Sequence, residues 1–352
     1  MGWELEPGMK SHSTVCGRIS KLKWPIERGL IMGENKKKGE VTVWHRGAPG
    51  ADSYEGCYSS MKSGGGQAAA SGRTSEAMKM EKTILTGRFT VDGAGVKLFR
   101  VFANDTTTLT DPFLLLDNFG SDRPEDYVRG FPWHPHRGIE TVTYMIEGEV
   151  EHGDSIGNKG VIASGDIQWM TAGGGIIHQE MPKAYRGTMR GTQLWVNLPA
   201  ADKMMAPRYR GITAAEVPTV REDGLEIRVI AGAYGTKKGP VEDLVVDVEY
   251  FDVSMRAGET ITYPSKKGYT TLCYLLEGIG DFDGSALRKG QLIVCKFAAS
   301  LVVTATENLR FMLASGRPLN EPVAWGGPIV MNTREELDRA FRELDEGTFI
   351  KG

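Results

Sequence analysis

The chain has 352 residues, and its Lys plus Arg (42) and Asp plus Glu (45) nearly cancel to a net charge of −3. A length well beyond the roughly 100–200 residues of one domain predicts two cores, and the balanced charge offers no broad positive field to hold phosphate backbones, so direct nucleic-acid binding is excluded as a primary role. Hydrophobic residues at 40%, charged residues at 25% and 45 glycines fit a globular strand-and-turn protein.

Residues 1–79 carry Lys36-Lys37-Lys38 and the low-complexity run Ser63-Gly64-Gly65-Gly66-Gln67-Ala68-Ala69-Ala70-Ser71-Gly72, with no sustained period of two or 3.6. They read as a disordered extension or a mis-assigned start, with Met78 or Met80 as the alternative beginning, although Trp3, Trp24 and Trp44 are unusual in a solvated tail. From Met80 onward, short apolar or alternating runs recur between Gly, Asp and Asn turns: Lys97–Phe102, Phe113–Asp117, Ile139–Ile146, Ile167–Thr171 and Thr192–Leu198. A second series follows, from Ile227 through Leu244–Met255, Thr270–Leu276, Gln291–Phe297 and Leu309–Ala314. Regular short strands of this kind predict sandwiches or small barrels.

Pro199, Pro207 and Pro218 place the joint between the two series near residues 200–225. Division there gives a first domain over 80–205 and a second over 206–352. Thr141-x-x-Tyr144-x-x-Glu147-Gly148 recurs as Thr271-x-x-Tyr274-x-x-Glu277-Gly278, which points to a duplicated domain. One helix is predicted, from Thr333 to Leu344, where Thr333 and Glu336 form a capping box.

Cys16, Cys57, Cys273 and Cys295 show no CxxC spacing and suit a reducing, cytoplasmic setting. No apolar run approaches the ~18 residues of a membrane span, and no basic-then-apolar leader opens the chain.

The chemistry concentrates in the first series. His134 and His136 stand two apart before a strand, as do His178 and Glu180 after the turn Gly173-Gly174-Gly175. In extended backbone each pair shares a face, so three imidazoles and a carboxylate can converge on one divalent ion such as iron, nickel, manganese, copper or zinc. Counting from the repeat and the glycine turns, the second half offers Pro264, Lys266, Val303 and Ala305 instead, which predicts no metal there. His152 reads as an exposed histidine at a hairpin end.

The runs Phe131-Pro132-Trp133-His134-Pro135-His136-Arg137-Gly138-Ile139-Glu140-Thr141-Val142 and Gly165-Asp166-Ile167-Gln168-Trp169-Met170-Thr171-Ala172-Gly173-Gly174-Gly175-Ile176-Ile177-His178-Gln179-Glu180-Met181-Pro182 closely resemble the pirin signature. The resemblance runs from about Met80 to the end. It implies an all-β chain of two tandem cupin (jelly-roll) barrels with a short C-terminal helix. It also implies one ion, most often Fe(II), held by the positions matching His134, His136, His178 and Glu180. Glu140 occupies the place from which generic cupins take a carboxylate ligand and has the parity to face inward, as a neighbour of the ligands or an occasional ligand. Gln168, Trp169, Met170, Gln193 and Trp195 are candidates to surround the ligands or line a substrate pocket. Some pirins are quercetin 2,3-dioxygenases, which implies Glu180 as the base, with a small aromatic substrate and dioxygen as partners. Others are redox-responsive regulators that bind a transcription factor or a metabolic enzyme. A closed structural zinc site would use the same four ligands.

Overall fold

The computed structural model describes residues 80–297 and 299–351, together with one short ladder, Gly33–Glu34 against Val41–Thr42, within a separate unit spanning Met1–Glu76. Apart from that ladder, the extension expected over residues 1–79 lies outside the described residues.

From Glu81 the alternating runs form two barrels, each built from one seven-stranded and one four-stranded antiparallel sheet. In the first barrel the large sheet runs, in spatial order, Arg208–Ile212, Ile167–Thr171, Ile139–Glu147, Met189–Asn197, Phe113–Ser121, Val96–Phe102 and Arg88–Asp92. Its small sheet runs Lys159–Ile162, Val150–Asp154, Ile176–Pro182 and Phe131–His136. The second barrel repeats this plan, with Thr260–Tyr263 and Leu301–Ala305 in its small sheet.

The two large sheets stand back to back, and this explains why their central strands are buried on both faces. Val142, Tyr144, Trp169, Leu194 and Val196 from the first barrel pack with Val248, Tyr250, Leu272, Tyr274 and Met312 from the second in one continuous core. Each repeat tyrosine reaches across this seam. Tyr144 donates to Asp252 Oδ2 at 2.7 Å, and Tyr274 accepts from Asn118 Nδ2 at 2.8 Å.

The division expected at 205/206 is crossed at three places. Arg208–Ile212 completes the first barrel's large sheet, whereas Glu81–Thr86, at the other end, pairs with Gln291–Lys296 in the second. The hairpin Ala324–Gly326 and Ile329–Met331, followed by the helix Arg334–Asp345, lies back over the first barrel, where Ile329 bridges Arg137 and Val330 packs with Ile139 and Ile176. Which barrel an edge strand joins is a tertiary choice that leaves no local periodicity to read. The helix begins as its capping box predicts, with Thr333 Oγ1 accepting from Glu336 N and Glu336 Oε2 accepting from Thr333 N. Among the described residues no helix is long and apolar enough to cross a membrane.

Candidate metal centre

The inner side of the first barrel differs from that of the second. In the second, Ile227, Phe251, Ile261, Tyr263, Phe282, Val303 and Phe311 fill the space between the sheets with apolar side chains. In the first, apolar clusters around Met170 and Trp195, and around Met145 and Val150, flank a polar centre.

Strand geometry builds that centre. Phe131–His136 pairs with Ile176–Pro182 so that His134 lies directly opposite His178, and alternation brings His136 to the same face. The corresponding pair in the second barrel is Ile261 opposite Val303, which makes Tyr263, not Lys266, the counterpart of His136. The spacing from the Thr-x-x-Tyr repeat does not carry over between the barrels, because more residues separate Tyr263 from Thr270 than separate His136 from Ile139.

The ligand nitrogens of His134, His136 and His178 lie within 4.8 Å of one another, and no other group of three or more metal-binding side chains is found among the described residues. His134 Nδ1 lies 2.9 Å from Pro132 O and His136 Nδ1 lies 3.0 Å from Pro328 O. A carbonyl only accepts, so both imidazoles carry their proton on Nδ1 and present bare Nε2 lone pairs. Those two Nε2 atoms face each other at 3.1 Å, where neither can donate to the other. A cation with ligands at ~2.1 Å sets neighbouring nitrogens roughly 3.0–3.4 Å apart, which matches this spacing. His178 is wholly buried and neither ring nitrogen has a partner. Such an unmet group costs about 1–3 kcal/mol, and binding an ion offsets that cost. Burial pushes the pKa of all three imidazoles down, His136 and His178 well below the ordinary range, so they are neutral as ligation requires.

Glu180 is buried beside them and held at both oxygens, with Oε1 accepting from Thr143 Oγ1 at 3.0 Å and Oε2 from Gln193 Nε2 at 2.9 Å. Its charge raises the pKa of His134 against the effect of burial. The ladder shifts between His178 and Glu180, leaving Glu180 opposite Phe131. The three histidines therefore form the tight cluster, with the carboxylate engaged alongside it.

The surrounding candidates divide by strand face. Gln193 links Glu180 to Trp195, whose Nε1 donates to Gln193 Oε1 at 3.0 Å and whose ring meets His136 edge-on at 5.1 Å. Met170 packs with Trp195. Gln168 reaches the ligands only through His152, its Nε2 lying 3.1 Å from His152 Nδ1. Glu140 and Trp169 fall on the opposite face, toward the seam. Trp169 belongs to the inter-barrel core, and Glu140 accepts from Thr171 Oγ1 at 2.6 Å, with burial raising its pKa. The expected inward parity of Glu140 is corrected by Thr143, which three residues later on the same strand turns to Glu180.

His152 is also corrected, because it is 4% exposed and lies inside the barrel. It contacts Asp154 Oδ2 at 3.1 Å, stacks on Tyr209 at 4.6 Å and lies 5.5 Å from the His178 ring. The alternation of Val150, His152 and Asp154 was the sequence signal for this inward face. The second-half residues Pro328 and Trp325, the latter stacked on Trp195 at 5.7 Å, carried no such signal.

The chain is similar to known proteins of one family. Residues 95–196 match the Pirin family and residues 250–350 the Pirin C-terminal cupin domain. A pirin-like protein of Caulobacter vibrioides is 43% identical, covering 76% of this chain and 97% of its own, and one of Solanum lycopersicum is 39% identical, covering 73% and 88%. The crystal structure of quercetin 2,3-dioxygenase from Acinetobacter baumannii is 35% identical, with a TM-score of 0.71, over 76% of this chain and 96% of that one. With both barrels matched in order and the histidine cluster inside the first, the chain belongs to the pirin family.

Proposed function

We propose that the chain is a metal-dependent dioxygenase acting on a flavonol or a similar enol or phenol, with His134, His136, His178 and Glu180 holding one Fe(II). The observation that carries this reading is the pair of bare Nε2 atoms of His134 and His136 at 3.1 Å beside the unpartnered His178. The likeness to quercetin 2,3-dioxygenase from Acinetobacter baumannii supports the substrate class.

When bound, the ion supplies Lewis acidity and redox chemistry with dioxygen. The protein's own groups do the rest. Glu180 is the carboxylate placed to take the acidic hydroxyl's proton, and Thr143 and Gln193 hold it in position while leaving each oxygen a further lone pair. Trp195 bears on the plane of His136, and Met170, Ile139 and Ile176 keep water from that side of the site.

The test is protein purified without oxygen and loaded in turn with iron, nickel, manganese and copper, then given quercetin. Dioxygen uptake with matching carbon monoxide release supports the reading. Failure of every loaded form to consume the flavonol removes it.

A further inference from the structure

We infer that the strap Ala324–Phe349, supplied by the second half of the chain, is a working part of the metal centre, and that Lys203 is the positioning residue that clamps it so that Pro328 fixes the tautomer of His136. The inference rests on the metal reading above. The contacts are specific. Pro328 O receives the Nδ1 proton of His136, and Val330, two residues on, donates its N–H to Arg137 O at 3.1 Å. Gly138 lies so close that a Cβ there would sit 1.9 Å from Val330 O, so glycine is required by the strap itself.

Lys203 is 2% exposed, and none of its hydrogen-bond partners is a carboxylate. Its Nζ meets Gly138 O at 2.9 Å, Asn197 Oδ1 at 2.8 Å and Val330 O at 3.0 Å. Burial pushes this amine down to about 7, yet only the ammonium has enough hydrogens to serve all three surrounding oxygens at once, which opposes that push. The three acceptors come from three segments: the turn after His136, the end of the strand that carries Gln193 and Trp195, and the strap. One nitrogen thus joins the residue two beyond His136 to the residue two beyond Pro328. Arg137 adds a second anchor. It donates to Phe349 O at 2.8 Å, pairs with Glu343 at 2.7 Å and lies 4.1 Å from the centre of the Phe349 ring.

The chemical consequence concerns His136. With Pro328 O in place, its proton stays on Nδ1 and Nε2 is committed to the ion. If the strap shifts, both tautomers and ring rotation return, and loss of such an orienting partner typically lowers metal affinity by roughly 10–100-fold.

The test uses the full chain and cobalt(II) as the probe. Wild type should bind cobalt and show exchangeable, paramagnetically shifted ring N–H signals from His134 and His136. In Lys203→Met, cobalt affinity, measured by competition with a chromophoric chelator, should fall about tenfold or more. The His136 signal should broaden into exchange with water while that of His134 persists. If Lys203→Met does not fold, Glu343→Gln, which loosens the Arg137 anchor without removing a side chain, should show the same selective loss at about two- to tenfold in affinity, the scale of one hydrogen bond's net contribution. A folded variant with lowered thermal stability but unchanged affinity and an unchanged His136 signal overturns the inference and leaves Lys203 a structural residue. Failure of wild type to bind cobalt removes the metal reading, and with it this one.

Discussion

His136 donates its Nδ1 proton to the carbonyl of Pro328, 192 residues further along the chain, and the first barrel's centre is thereby completed by the second half. The remaining groups at the centre come from neighbouring strands of the first barrel, and each supports a separate experiment.

Glu180 is the ligand assigned to proton transfer, so Glu180→Gln, which keeps its size and one oxygen, should leave the three histidines able to hold metal. Flavonol turnover, corrected for metal occupancy, should fall by roughly 10²-fold or more, the usual scale for a lost general base. Unchanged corrected turnover would remove Glu180 from that role.

Gln193 donates to Glu180 and accepts from Trp195. Replacing it with Leu leaves a buried carboxylate oxygen and an indole N–H without partners, and turnover or metal affinity should drop by roughly 10–100-fold. Chelator competition and steady-state kinetics together distinguish which of the two is affected.

Glu140 gives the contrasting case. It faces the seam with Thr171 and lies away from the histidines, so Glu140→Gln should leave metal content unchanged. Any effect should appear in denaturant unfolding, within about 3 kcal/mol for a perturbed buried hydrogen bond. Loss of metal in this variant would show that its side chain turns inward.

Burial holds the folded pKa of His136 and His178 below 6.5. Below about pH 6.5 the unfolded chain therefore binds more protons than the folded one, and stability falls as pH decreases from there toward the folded values. The thermal midpoint of metal-free protein should be level with respect to these groups above about pH 7 and decline below 6.5. His178→Phe should reduce the decline, and an identical profile in that variant would exclude His178 as a source.

Much of this site was legible because strand alternation is a local rule. His134 with His136, and His178 with Glu180, are each two apart, and the glycine turn before His178 marks where the chain reverses. The capping box at Thr333 set the start of the helix for the same reason. Glu140 was misread because its side depends on which sheet face is the barrel interior, and in a strand buried on both faces periodicity does not mark that. His152 was misread because polar residues around it suggest a turn, whereas burial of Asp154 and Gln168 supplies its partners. The Pro328 and Lys203 contacts depend on where a distant segment docks, and no spacing in the chain encodes that.

The most direct measurement is the metal content of protein purified without oxygen, for wild type and for the double variant His134→Ala with His136→Ala. One tightly held ion per chain in wild type, lost in the double variant, is the predicted result. Two tightly held ions per chain, or full retention in the double variant, would contradict a single centre built on His134, His136, His178 and Glu180.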